Sequence, residues 1–149
     1  MQVATIFRDV VAEGESYDFP ADAGDEEIRG FWFPSKGWPF VFEERDRVVG
    51  AAVIRPLEED ASVATAAFIV ASASRGRGIG RALGEFALQR AAHLGFNAMQ
   101  FNFVVATNEA AVHLWERLGF AITGRHTAVF AHPRFGQVDA LVMHREVAA

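Results

Sequence analysis

The sequence predicts an α/β (α+β) domain: a mixed sheet with one parallel strand pair, flanked by helices. Three observations carry that reading. Ala66–Val70 reads as a buried strand and runs into the glycine-rich turn Arg75-Gly76-Arg77-Gly78-Ile79-Gly80-Arg81. After the turn, Ile79, Leu83, Phe86, Ala87, Ala91 and Leu94 form an apolar stripe at helical spacing, closed by Gly95. Ala98–Val105 then reads as a strand, parallel to the previous one if the helix is a right-handed crossover.

The remaining elements follow in order. Val3, Ile6, Phe7, Val10 and Val11 recur at i, i+3, i+4, i+7 and i+8, an amphipathic helix that ends near Glu13-Gly14. Ser16 to Asp25 is an acidic loop with Pro20. Glu26–Phe33 is a short helix stopped by Pro34. Phe40–Glu44 and Val48–Ile54 are strands joined by a charged turn, hence a hairpin. Ser62–Val70 is the strand that delivers the glycine turn. Thr107 or Asn108 caps a further helix, which Gly119 ends. Phe120–Thr123 starts one more strand, Ala131–Gly136 is a loop, and Val138–His144 is the last strand. At 149 residues, without an internal repeat, the chain is read as one domain spanning residues 1–149.

A strand, a glycine turn and a helix start aim unpaired backbone N–H groups and the positive end of a helix dipole at one point, where a phosphate fits. The glycines allow close approach, and Arg75, Arg77 and Arg81 add charge. The run is not a dinucleotide fingerprint, because Arg81-Ala82-Leu83-Gly84 breaks the spacing, and it lacks the Gly-Lys-Ser/Thr of a P-loop. What remains is Arg-x-x-Gly-x-Gly, from Arg75, Gly78 and Gly80. It resembles the pyrophosphate loop of the GNAT N-acetyltransferases, which bind acetyl-coenzyme A. Asn108–Phe120 resembles the same superfamily's Asn-x-x-Ala-x-x-Leu-Tyr…Leu-Gly-Phe segment. The resemblance implies a GNAT-like, mostly antiparallel twisted sheet with its parallel pair at the cofactor site. GNAT chains usually open with a strand before the first helix. This sequence opens inside the helix, so that strand is expected to be missing.

Composition narrows the function. Just over half the residues are apolar and no apolar run reaches the roughly 18 residues of a membrane span. No signal peptide is legible, so a cytoplasmic location is expected. There is no cysteine, which excludes disulfides, Cys-bound zinc and a cysteine acyl-enzyme. The five His are scattered without an i, i+4 pair, so no metal site is expected. Residues 1–60 hold 14 acidic and 6 basic side chains, and residues 61–149 hold 5 acidic and 8 basic. A net charge of −5 disfavours nucleic-acid binding. The basic part contains the proposed phosphate loop. Glu13, Glu15, Asp18, Asp22, Asp25, Glu26 and Glu27 would form an acidic wall that draws in cationic amines.

The resemblance also implies the chemistry: an acetyl group passes from a thioester to a neutral amine, with a donor for the oxyanion and an acid for the thiolate. The oxyanion donor maps to the backbone of Phe68, Ile69 and Val70. With Arg75, Gly76, Arg77, Gly78, Ile79, Gly80, Arg81 and Asn108, these are the expected cofactor-binding residues. Where the family has its acidic Tyr, this sequence has Trp115. An indole N–H is too weak an acid, so Trp115 is read as packing against the thiol end or lining the acceptor pocket. Tyr17, the sole tyrosine, lies in the loop where relatives form the acceptor site. His132 precedes Pro133 and is either a loop residue or part of the site. Asn102, mid-strand among apolar neighbours, needs a partner and is either structural or acceptor-binding. Asp139 is a further acid able to orient a His or bind an amine. Tyr17, Asn102, Trp115 and His132 are thus the catalytic candidates. The expected activity is transfer to a primary amine of a small molecule by direct attack in a ternary complex, by a monomer or a homodimer. The alternatives are a non-catalytic acyl-coenzyme A-binding module and a protein Lys or N-terminal acetyltransferase.

Overall fold

A computed structural model describes residues 2–147. The chain runs α1 (Gln2–Glu13), α2 (Asp25–Trp32), β1 (Trp38–Glu44), β2 (Arg47–Pro56), β3 (Val63–Val70), a short 3₁₀ turn (Ser72–Ser74), α3 (Ile79–His93), β4 (Ala98–Val105), α4 (Glu109–Arg117), β5 (Ala121–His132) and β6 (Gly136–Glu146). Among the described residues no strand precedes α1. The six strands form one sheet in the order β1-β2-β3-β4-β6-β5. Only β3 and β4 run parallel; every other neighbouring pair is antiparallel.

Helices cover both faces, and the strand alternation says which residues meet them. On one face Ile6, Phe7, Val10, Ile28 and Trp32 of α1 and α2 pack on Ala51, Val53, Ala67 and Ile69. On the other, Ala87, Leu88 and Ala91 of α3 and Trp115 of α4 pack on Ile54, Ala64, Met99, Phe101 and Leu141. β2 is therefore buried on both sides, and Val49 to Ile54 reads as one continuous apolar run rather than an alternating one. Arg45 and Asp46 both take positive φ, 50° and 62°, which makes the β1–β2 connection a twist-matched two-residue turn.

β5 is longer than its sequence suggests. Ala131 and His132, expected in a loop, pair with Gln137 and Gly136 instead. The register of β5 on β6 shifts between His126 and Phe130, and Ala128 lies at φ 53°. Asp139 fixes this bulge: its Oδ1 accepts the Ala128 N–H at 2.9 Å and its Oδ2 binds Arg125 at 2.7 Å. That arrangement holds the Asp139 carboxyl below the usual carboxylate range. Asp139, read as an acid able to orient a His or bind an amine, here has a structural partner set.

A candidate active-site cleft at the diverging strands

The parallel pair is short. Only Val63 with Ala98 and Ala64 with Met99 are in register; beyond them β3 and β4 separate. A cleft of about 940 Å³ opens where they part, lined by the ends of β3 and β4, the starts of α3 and α4, and the loop after α1. Divergence leaves polar backbone on β3 without a strand partner, and such groups need partners from elsewhere.

At Phe68 that partner is Tyr17. The Phe68 N–H donates to the Tyr17 hydroxyl at 3.0 Å, and the hydroxyl donates to the Phe68 carbonyl at 2.9 Å. The ring is held edge-on by Phe7, Phe31 and Trp32, with centroids 5.4, 6.3 and 6.5 Å away. Burial pushes the phenol up from 10.0 to about 12, outweighing the Phe68 hydrogen bond and the nearby Arg55 charge, which pull it down. Tyr17 therefore keeps its proton across the neutral range, and its neutral hydroxyl both accepts from and donates to the Phe68 backbone.

At the other end of the cleft lies the glycine turn. Gly76 and Gly78 take φ of 78° and 82°, and open space surrounds the position of a Cβ on either. Gly78 is the N-cap of α3 and no side chain caps this end. The first helix N–H groups are thus left to a guest in the cleft, and Gly76, Gly78, Ile79 and Gly80 line it. The strand ends of Phe68, Ile69 and Val70 line it as well. These residues fit a phosphate-bearing, elongated cofactor: uncapped donors at one end, separated strands along its length.

The arginines depart from the sequence reading. Arg75 lines the cleft, but both its Nη atoms bind Glu13 at 2.8 Å. Arg77 is paired with Glu44, at 2.8 Å through Nη1, and Arg81 with Glu85 at 2.8 Å. Neither Arg77 nor Arg81 is among the lining residues. Carboxylates from α1, β1 and α3 reach them first, contacts that a motif cannot display.

The second half of the cleft comes from α4 and its N-cap. Asn108 lines it and caps the helix, its Oδ1 accepting the Ala111 N–H at 3.3 Å. Beside it the Thr107 hydroxyl, at the cleft wall, is buried without a partner. Trp115 lines the cleft but is 8% exposed, packed against Phe68 and Phe101 with centroids 4.8 and 4.7 Å away. Its role is a wall and a core residue together.

His132 is buried, not a surface loop residue. Its Nε2 lies 3.0 Å from Glu15 Oε2, and its Nδ1 accepts the N–H groups of Arg134 and Phe135 at 3.1 and 3.2 Å. Asn102 stands away from the cleft: its Oδ1 accepts from Gln100, which in turn contacts His144 at 2.8 Å. The bulge between Phe101 and Val104 sends Phe101, Phe103 and Val104 to the cleft and leaves Asn102 with Gln100. His113 and His126 are exposed. Of the seven acids expected to form a wall, only Glu13 and Glu15 line the cleft. The sequence marked Glu15 only as one of seven wall acids and Thr107 only as a possible helix cap: Glu15 meets its partner across 117 residues, and no local pattern shows the buried Thr107 hydroxyl. Among the described residues no three His, Asp or Glu side chains are grouped to hold a metal ion, and no helix is long and apolar enough to cross a membrane.

Residues 6–120 match the Acetyltransferase (GNAT) family. Over 79 residues the chain is 37% identical to N-acetyltransferase aca1 of Schizosaccharomyces pombe, a match that spans 52% of this chain and 38% of that protein's length. In three dimensions it is similar to a GCN5-related N-acetyltransferase from Kribbella flavida, with a TM-score of 0.91 and 40% identity over 98% of this chain and 90% of that one. A phosphinothricin acetyltransferase from Sinorhizobium meliloti, solved in complex with AcCoA, shares the fold at a TM-score of 0.85 and 22% identity, covering 97% of this chain and 80% of that one.

Proposed function

The chain belongs to the acetyltransferase (GNAT) family, an acetyl-coenzyme A-dependent N-acetyltransferase domain by that membership, and we propose that its acceptor is the primary amine of a small molecule. One observation carries the proposal: a single cleft is lined both by the uncapped start of α3 and by Tyr17, which holds the backbone of Phe68. The first suits the pyrophosphate of acetyl-coenzyme A, the second its acetyl group. Without a cysteine, attack is direct, in a ternary complex.

The residues divide the work. The backbone N–H groups at Gly78 to Gly80 bind the pyrophosphate. The edges of β3 and β4, with Thr107 and Asn108, bind the arm between pyrophosphate and thioester. The Phe68 N–H, or the Tyr17 hydroxyl that now occupies it, donates to the oxyanion of the tetrahedral intermediate. Trp115 walls the thioester and keeps water from it. A small acceptor is favoured over a protein one because the loop after α1 closes onto the β5–β6 turn. A Cβ on Gly14 would stand 2.7 Å from Pro133, and Glu15 meets His132.

The test is a screen of primary amines with acetyl-coenzyme A, read by release of free thiol. Turnover with a small amine is the expected result. Binding of acetyl-coenzyme A without turnover of any amine supports a binding module instead, and turnover only of peptides supports a protein acetyltransferase.

A further inference from the structure

Three carboxylates line the cleft, and their surroundings differ. Glu13 has both oxygens engaged by Arg75. Glu109 stands exposed in the first turn of α4. Glu15 alone is held through one oxygen by a buried side chain: Oε2 meets His132 Nε2, and among the described residues no hydrogen bond to Oε1 is present. The histidine is not free to choose its tautomer. Two backbone N–H groups, of Arg134 and Phe135, point at Nδ1, so in the neutral ring the proton sits on Nε2 and donates to Glu15. The ring also stacks on Phe135 at 4.7 Å, and only 1% of its side chain is exposed. Such a fixed imidazole orients the carboxylate it holds. Glu15 lies two residues before Tyr17, whose hydroxyl holds the Phe68 backbone, and all three residues line the cleft.

We propose that Glu15 is the carboxylate that receives the acceptor's ammonium and takes its proton, and that His132 is the residue that positions it. The inference rests on the acetyltransferase reading above. The ammonium gives one proton to the Glu15 carboxylate. The freed lone pair forms the C–N bond to the acetyl carbon, the carbonyl oxygen takes the displaced electron pair, and the C–S bond breaks as that pair returns. The leaving thiolate takes a second proton from the same nitrogen, so coenzyme A departs as the thiol and the amide is neutral. Glu15 then returns its proton to water. The site therefore takes cationic primary amines, and anions are excluded from it.

The experiment uses the full chain loaded with coenzyme A, which cannot react, and ethylammonium chloride as the probe. Saturable shifts of the Glu15 and Ser16 amide signals are expected in nuclear magnetic resonance. Glu15→Gln should weaken that binding about tenfold, the scale of one charge-assisted contact. Asp18→Asn, the same charge change on an exposed residue outside the cleft, should leave it unchanged. The absence of a saturable shift, or equal affinity in Glu15→Gln, overturns the site. Ring ¹⁵N shifts of His132 should place its proton on Nε2; a proton on Nδ1 overturns the positioning role. His132→Gln, which keeps a donor within reach of Glu15, should retain ammonium affinity that His132→Leu loses, whereas a merely structural role would cost both alike. For amines found by thiol release, Glu15→Gln should lower kcat about 100-fold, the low end of general-base effects, with KM for acetyl-coenzyme A unchanged; an unchanged kcat overturns the proton transfer. If coenzyme A does not bind at all, the acetyltransferase reading fails, and the ammonium titration of the unloaded protein still decides for or against Glu15.

Discussion

Tyr17 carries a proton that folding makes harder to remove. Below about pH 10 both folded and unfolded chains hold it; between there and about 12 only the folded chain does. The unfolded state then binds fewer protons, so stability falls as pH rises through this window and the contribution is gone above it. As the chain has one tyrosine, tyrosinate absorbance reads it alone. The native midpoint is expected near 12, against about 10 in guanidinium chloride, and Tyr17→Phe should remove this alkaline sensitivity. Trp115 makes a second case. Buried among Phe68, Phe101 and Phe120, its truncation to Ala should cost about 3–5 kcal/mol, a large share of a typical domain's stability. Denaturant melts should show this loss, with Trp115→Phe losing less, so any activity lost by the Ala variant must be separated from unfolding. The sequence showed both residues as site candidates from their position in a motif or loop. It did not show Tyr17's partner, which lies 51 residues away, or that Trp115 is core as much as wall.

Among the elements, the approach of α3 to α4 is set by a missing side chain. A Cβ on Gly84 would lie 2.7 Å from Leu118 Cδ1 and 3.1 Å from Trp115 Cζ3. Replacing a helical Gly by Ala gains about 1 kcal/mol of propensity, but overpacking costs about 1–3 kcal/mol. Gly84→Ala should therefore lower the melting temperature. Gly30→Ala in α2, with nothing within 4 Å of the new Cβ, should raise it. The start of α3 offers a different test. If Glu13 holds Arg75 in competition with a pyrophosphate, Glu13→Gln should tighten coenzyme A binding in calorimetry. With side chains 44% and 35% exposed, the pair is worth at most about 1 kcal/mol, so the gain should not exceed about fivefold. The elements themselves were largely legible, since α1 and α3 bury apolar stripes at helical spacing and β2 a continuous apolar run beside a charged turn. The start of β5 was legible but its length was not, because it is an edge strand with residues 121–129 mostly exposed and a bulge at Ala128, so burial left no alternation to read.

At the scale of the molecule, the sheet was readable as a list of strands but its interruption was not. Nothing in Ser62–Val70 or Ala98–Val105 announces that only two residue pairs join them, because the apolar residues run on past the point where pairing stops. The meeting of Glu15 with His132 was hidden for a related reason. It depends on how the two sides of the sheet face each other, which no local pattern encodes.

That short parallel pair has a mechanical consequence. With β3 and β4 joined only near Val63 and Ala64, the sheet behaves as two leaves sharing one hinge, β1-β2-β3 on one side and β4-β6-β5 on the other. A molecule lodged between the leaves would supply the rungs that the ladder lacks, and its binding energy would become cohesion of the whole domain. Amide hydrogen exchange at Phe68 to Val70 and at Phe103 to Val105 should then slow when coenzyme A is added, while exchange at Val63 and Ala64, on the hinge itself, should change little.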